Sequence, residues 1–137
     1  MFNGAAEDRL AIRERIESYS DAVFRHDADA WIANWAEDGV WHLPAIGIDL
    51  TGRPAIRAAW EQAMSAYALA GFFAAPGAIE VNGDRATARS YTQEILVAKD
   101  GGGVRKIVGA YDDTLVRRDG QWLFASRAYT VLHDEQA

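Results

Sequence analysis

The feature that most restricts this chain is its punctuation after residue 71. Three turn signals, Asn82-Gly83-Asp84, Asp100 to Gly103 and Asp119-Gly120, divide the carboxyl-terminal half into stretches of strand composition near 72–81, 85–98, 104–117 and 121–133. Asn-Gly and Asp-Gly pairs accept the positive φ of tight hairpin loops, so neighbouring stretches pair antiparallel. A meander of long strands has an apolar face that something must cover.

The cover precedes it. Between Ala6 and about His26, Ile12, Ile16, Tyr19 and Val23 recur at i, i+4, i+7 and i+11, while Arg13, Glu14, Glu17 and Arg25 face elsewhere. That is one apolar stripe of an amphipathic helix, and its next position is Asp27. A second helix is expected from Ala28 to Ala36, burying Trp31, Ile32 and Trp35, and broken by Glu37-Asp38-Gly39. VWHLP, residues 40–44, reads as a strand with Trp41 and Leu43 on one face and His42 on the other. A third helix follows in GRPAIRAAWEQAMSAYAL, with Gly52 and Pro54 at its start. Helices first and strands afterwards predict one α+β domain over residues 1–137, long enough to bury a core without disulfides.

Composition removes several functions. The chain has no cysteine, which excludes disulfides, thiolate metal sites and cysteine nucleophiles. Its three histidines stand without a spaced carboxylate motif, so no metal site is expected. The net charge is −6, and no basic run is denser than Arg117–Arg118, so no nucleic-acid partner is expected and a small apolar molecule fits better. The amino-terminal segment turns charged within seven residues and no apolar run reaches spanning length, so no membrane association and a cytoplasmic location are the expectations.

Asp27 has two readings, as the N-cap of the second helix or as a carboxylate closing a buried stripe. Tyr19 lies on that stripe, as core filler or as a phenol facing a cavity. Along the last strands Ile107, Gly109 and Tyr111 share one face, as do Ala125, Arg127 and Tyr129. For 85–98 both faces stay open: Ala88, Ser90, Thr92 and Glu94 make one set, and Arg89, Tyr91 and Gln93 the other. The first set facing inward would make Glu94 a second buried carboxylate.

The frame YSDAVFRHDADAWIANWAEDGVWHL, then GRPAI, EVNGDRATARSY and GAYDDTLVRRDGQWLFASR, resembles the SnoaL-like family of the nuclear transport factor two-like superfamily over nearly the whole chain. The resemblance implies a cone-shaped α+β barrel, in which the amino-terminal helices pack in a strongly curved, mostly antiparallel sheet around an apolar pocket. It also implies a homodimer or homotrimer and chemistry without a cofactor. In the ketosteroid isomerase pattern Tyr19 matches the carbonyl-polarising tyrosine, but Leu43, directly before Pro44, stands where the proton-carrying aspartate belongs, which disfavours that reaction. In the dehydratase and dehydrochlorinase pattern Asp27 matches the orienting aspartate and Arg127 the pocket arginine, while Phe72 replaces the histidine base, for which His26 is the nearest substitute.

The expected function is therefore a lyase or isomerase for a small apolar cyclic substrate. Asp27, Arg127, Tyr19 and His26 are its candidate catalytic residues, and Trp41, Leu43, Phe72, Ile107, Tyr111 and Tyr129 its pocket wall. Two rivals carry the same fold. One is a non-catalytic small-molecule-binding domain, and the other an interaction protein like a dioxygenase small subunit, its pocket filled by its own side chains.

Overall fold

The computed structural model describes residues 1–136. Helix α1 (Ala6–Phe24), the short α2 (Ala28–Ile32) and α3 (Arg53–Met64) accompany strands β1 (Phe2–Asn3), β2 (Trp35–Leu43), β3 (Ile48–Thr51), β4 (Tyr67–Asn82), β5 (Arg85–Ala98), β6 (Val104–Arg118) and β7 (Gln121–Gln136). All seven strands form one sheet in the order β1-β4-β5-β6-β7-β2-β3. The sheet is curved and unclosed, with the helices against its inner face, which is the α+β cone expected.

The hairpin signals place β4 to β7 as expected, all antiparallel to their sequence neighbours. On β5 the inner set is Ala86, Ala88, Ser90, Thr92 and Leu96, all buried, with Glu94 half-buried on the same face. That resolves the open face and turns Glu94 inward. The outer face shows Phe73, Tyr91, Val108 and Leu132 to solvent.

Three expectations change at element ends. Helix α1 stops at Phe24, because His26 takes φ 52°, a left-handed conformation that no helix continues through. The apolar stripe is buried at Ile12, Ile16, Tyr19 and Val23, but the break throws Asp27 off it. The second helix ends at Ile32 rather than Ala36, and β2 begins at Trp35 rather than Val40 because Trp35 pairs with Phe124 of β7 ahead of an irregularity, after which Val40, Trp41 and His42 continue the pairing. The third helix ends at Met64, and Tyr67–Leu69 open β4, paired to Val97 and Ala98. In the second and third cases strand pairing overrides the local helix pattern. Strands β1 and β3 had no sequence expectation.

The core is aromatic where helices meet sheet. Trp31 stacks on Trp60 at 4.6 Å between ring centroids, and Tyr19 touches Trp31, Phe72, Tyr111 and Phe124 at 5.3–6.0 Å. Such pairs add to the area they bury and hold the rings in fixed orientations. No helix among the described residues is long and apolar enough to cross a membrane.

Candidate functional site

A cavity of about 320 Å³ lies between the inner sheet face and the helices α1 and α3. Larger hollows exist, one of 590 Å³ around Glu80, Arg85 and Thr114 and one of 500 Å³ beside Arg15 and Trp122, but both are open grooves whose carboxylates, Glu80 and Glu14, are exposed. The cavity beneath the helices combines the half-buried carboxylate of Glu94 with aromatic walls.

Tyr19 enters it from α1, Trp41 and Leu43 from β2, Phe72 from β4, Ile107 and Tyr111 from β6 and Tyr129 from β7. Alternation along each strand brings them together: Ile107, Tyr111 and Tyr129 all sit on inward positions of paired strands, with Tyr111 directly opposite Tyr129. Met64 and Trp60 close the α3 side.

The other three candidates lie elsewhere. Asp27 caps α2, its Oδ1 accepting the Ala30 N–H at 3.0 Å and its Oδ2 an Arg25 N–H at 3.2 Å, with the side chain 36% exposed. The capping role therefore accounts for its position, and it is absent from the cavity lining. His26 is exposed beside α2, off the cavity. Arg127 is fully buried, yet it meets Asp113 and not Asp27: Nε and Nη2 donate to the two carboxylate oxygens at 2.7 and 3.1 Å. The expected shared hollow of Asp27 and Arg127 does not form, because the helix break at His26 turns Asp27 outward. His42 is paired with Asp49 at 2.8 Å on the outside of β2, and His133 is exposed.

Two polar groups define the chemistry of the cavity. At one end the Tyr19 and Tyr111 hydroxyls share a hydrogen bond of 3.1 Å, and Trp41 Nε1–H donates to the Tyr111 oxygen at 3.3 Å. Two phenolic protons with one bond between them leave one O–H for a ligand oxygen. Arg127 lies behind both rings, its guanidinium carbon 4.4 Å from the Tyr19 centroid and 3.8 Å from that of Tyr111. Burial pushes the Tyr19 hydroxyl up to about 12, against the pull of the Arg127 charge, and burial beside Tyr19 holds Tyr111 well above its ordinary value. Both phenols stay protonated donors at neutral pH.

The second group is Glu94, whose Oε2 accepts the Tyr129 O–H at 2.5 Å. Burial raises its carboxyl above the ordinary carboxylate range, while the Tyr129 hydrogen bond and the Arg105 charge pull it back. Arg105 also lines the cavity and is ion-paired with Asp134. Sequence reasoning left Glu94 as one of two alternatives. Composition does not decide between the two sets, because Ala86, Ala88 and Leu96 share the parity of Glu94 while Tyr91, Ile95 and Val97 share that of Arg89 and Gln93, and pairing with β4 and β6 fixes the face. Among the described residues no group of three or more His, Asp or Glu is placed to hold a metal ion.

Residues 4–128 match the profile of the SnoaL-like domain. The fold superposes on a proposed scytalone dehydratase from Novosphingobium aromaticivorans with a TM-score of 0.87 and 22% identity, covering 95% of this chain and 87% of that one. A proposed aromatic ring hydroxylase from the same organism gives 0.86 and 26%, covering 98% and 96%. A hexachlorocyclohexane dehydrochlorinase from Novosphingobium barchaimii gives 0.83 and 16%, covering 96% and 90%. No curated protein sequence matches the chain.

Proposed function

Because the chain belongs to the SnoaL-like domain family, we propose that it is a lyase- or isomerase-type acid–base enzyme for a small, largely apolar cyclic molecule, with Glu94 as the proton-transferring carboxylate. The observation that carries this reading is a half-buried carboxylate and a donor-rich phenol pair lining one apolar cavity. Glu94 would take a proton from a carbon of the bound ring. The electron pair left behind would move into a new C=C bond, expelling a leaving group or placing negative charge on a carbonyl oxygen. The free phenolic O–H of the Tyr19–Tyr111 pair would hold that oxygen or leaving group, with the Arg127 charge behind it strengthening the donor. Desolvation is what fits Glu94 for the work, since it brings the carboxyl closer to the pH at which a proton is readily both taken and returned.

Two of the structural relatives support the reaction class, being named for the removal of water and of hydrogen chloride, and two carry a ring in the name of their substrate. A cavity of about 320 Å³ suits a molecule of one or two rings. It also argues against a pocket plugged by its own side chains, as the interaction-protein rival requires.

The test is exchange of acidic C–H hydrogen for deuterium in a panel of small cyclic ketones incubated with the protein in heavy water. Wild type should accelerate exchange, and Glu94→Gln should bind the same compounds without exchanging them. The binding-domain rival draws on one observation, that His26, His42 and His133 all lie off the cavity and Phe72 stands directly opposite Glu94 in the β4–β5 register. Compounds bound by wild type but never exchanged would favour it.

A further inference from the structure

Glycine inside a long strand weakens it, having no side chain to pack and more backbone freedom to lose. Gly109 sits in the middle of β6, between Thr92 of β5 and Val131 of β7, and it is not among the glycines with positive φ. Its backbone conformation is open to any residue. Space is what forbids a side chain: a β-carbon there would lie 2.5 Å from Tyr129 Oη, 2.6 Å from Cζ and 2.7 Å from Cε1.

Tyr129 springs from β7 opposite Tyr111 and Glu94 from β5 opposite Ile107, so their backbones lie two strand spacings apart, roughly 10 Å across the sheet, and are offset along β6 as well. The phenol closes that gap by lying across β6 at Gly109, where its oxygen comes 2.5 Å from Glu94 Oε2. The register change between Val108 and Gly109, where β7 carries one extra residue, lies at this crossing.

We propose that Gly109 is a positioning residue of the site: its missing side chain is the saddle over which the Tyr129 phenol reaches and orients the Glu94 carboxylate. The proposal rests on the reading of Glu94 as the acid–base group and names what holds it in place. Any side chain at 109 would lift the ring, and Glu94 would lose its hydrogen-bond donor.

The other groups around Glu94 are few. Arg105 and Tyr111 approach from β6, Asp134 from β7 and Tyr19 from α1, while Tyr67 of β4 meets Arg105. Across the strand pair β4 presents Phe72, and α3 contributes only Trp60, Ala63 and Met64 to the cavity. Of these, Tyr129 alone hydrogen-bonds the carboxylate, so its displacement has one direction. The charged form of Glu94 loses support and its titration midpoint rises.

The measurement is a carbon NMR titration of the Glu94 side-chain carboxyl in the full-length protein, without ligand. Gly109→Ala should move the midpoint upward to where Tyr129→Phe puts it, and combining the two should move it no further. A folded Gly109→Ala protein with the wild-type midpoint would overturn the proposal. If Gly109→Ala does not fold, Gly109→Ala with Tyr129→Ala decides: recovery of the fold, with the midpoint of Tyr129→Ala alone, supports the saddle, and continued unfolding overturns it. Deuterium exchange is a separate readout, so a protein that turns nothing over can still confirm or defeat the role of Gly109.

Discussion

Arg127 and Asp113 form a bidentate ion pair inside the sheet, their side chains 1% and 0% exposed, with Nε to Oδ1 at 2.7 Å. Burial pushes the Asp113 carboxyl up and the Arg127 charge pulls against it, while the guanidinium, despite its own burial, is held above its ordinary value by Asp113. The pair is structural first, since it fixes the cation against the faces of Tyr19, Tyr111 and Phe124.

Asp113→Asn leaves that cation buried without its counter-charge. Breaking one half of such a pair costs ~3–5 kcal/mol, so the urea midpoint should fall sharply. Asp113→Leu combined with Arg127→Met should recover much of the loss, because the desolvation cost of both charges goes with them. A single variant with wild-type stability would show the pair to be solvated.

Asp27 is expected to behave as a cap. Asp27→Ala should cost about 1 kcal/mol in equilibrium unfolding and leave ligand binding intact. A folded Asp27→Ala protein that loses binding or hydrogen exchange would return the residue to the site and remove the case for Glu94.

Glu94 should set an unusual pH dependence of stability. Its folded-state midpoint lies above the unfolded value, so the native state binds the proton more tightly and the associated stabilisation is complete at pH below the unfolded midpoint. It is lost as pH rises from about 4.3, the ordinary glutamate value, through the raised one. Glu94→Gln removes the titration, so the difference in melting temperature between Glu94→Gln and wild type should grow in favour of the variant as pH rises from 4 toward 7. A constant difference across that range would mean that the carboxyl is not desolvated.

The phenol pair should tolerate one loss and not two. In Tyr19→Phe the Tyr111 proton is released to the cavity, and in Tyr111→Phe the Tyr19 proton is, so each single variant keeps one donor. The double variant has none, and exchange should fall by roughly 10²–10³, the usual loss for a removed oxyanion donor. Full loss in either single variant would assign the free proton to that residue alone.

Much of the cavity wall is legible in the sequence. Period-two alternation assigns Trp41 and Leu43 to one face, and Ile107 and Tyr111 to another, and helical spacing assigns Tyr19 to the buried stripe of α1. These patterns are local, and burial enforces them because a one-residue slip would expose every apolar side chain on the element. The hairpin signals work the same way, since the backbone of a tight turn admits few residues.

What the chain alone determined, then, is which elements exist and which of their faces are greasy, because those follow from side chains a few residues apart. Tertiary structure decided which charges meet. Arg127 chose Asp113 across β6 and β7 rather than Asp27, and Tyr129 reached Glu94 over Gly109. The first depends on the β6–β7 register and on the left-handed residue at His26 that turns Asp27 away, and the second on the β5–β6–β7 register and the bulge of β7 opposite Gly109. A displacement of a few ångströms separates a hydrogen bond from no contact, and local spacing does not carry that distance.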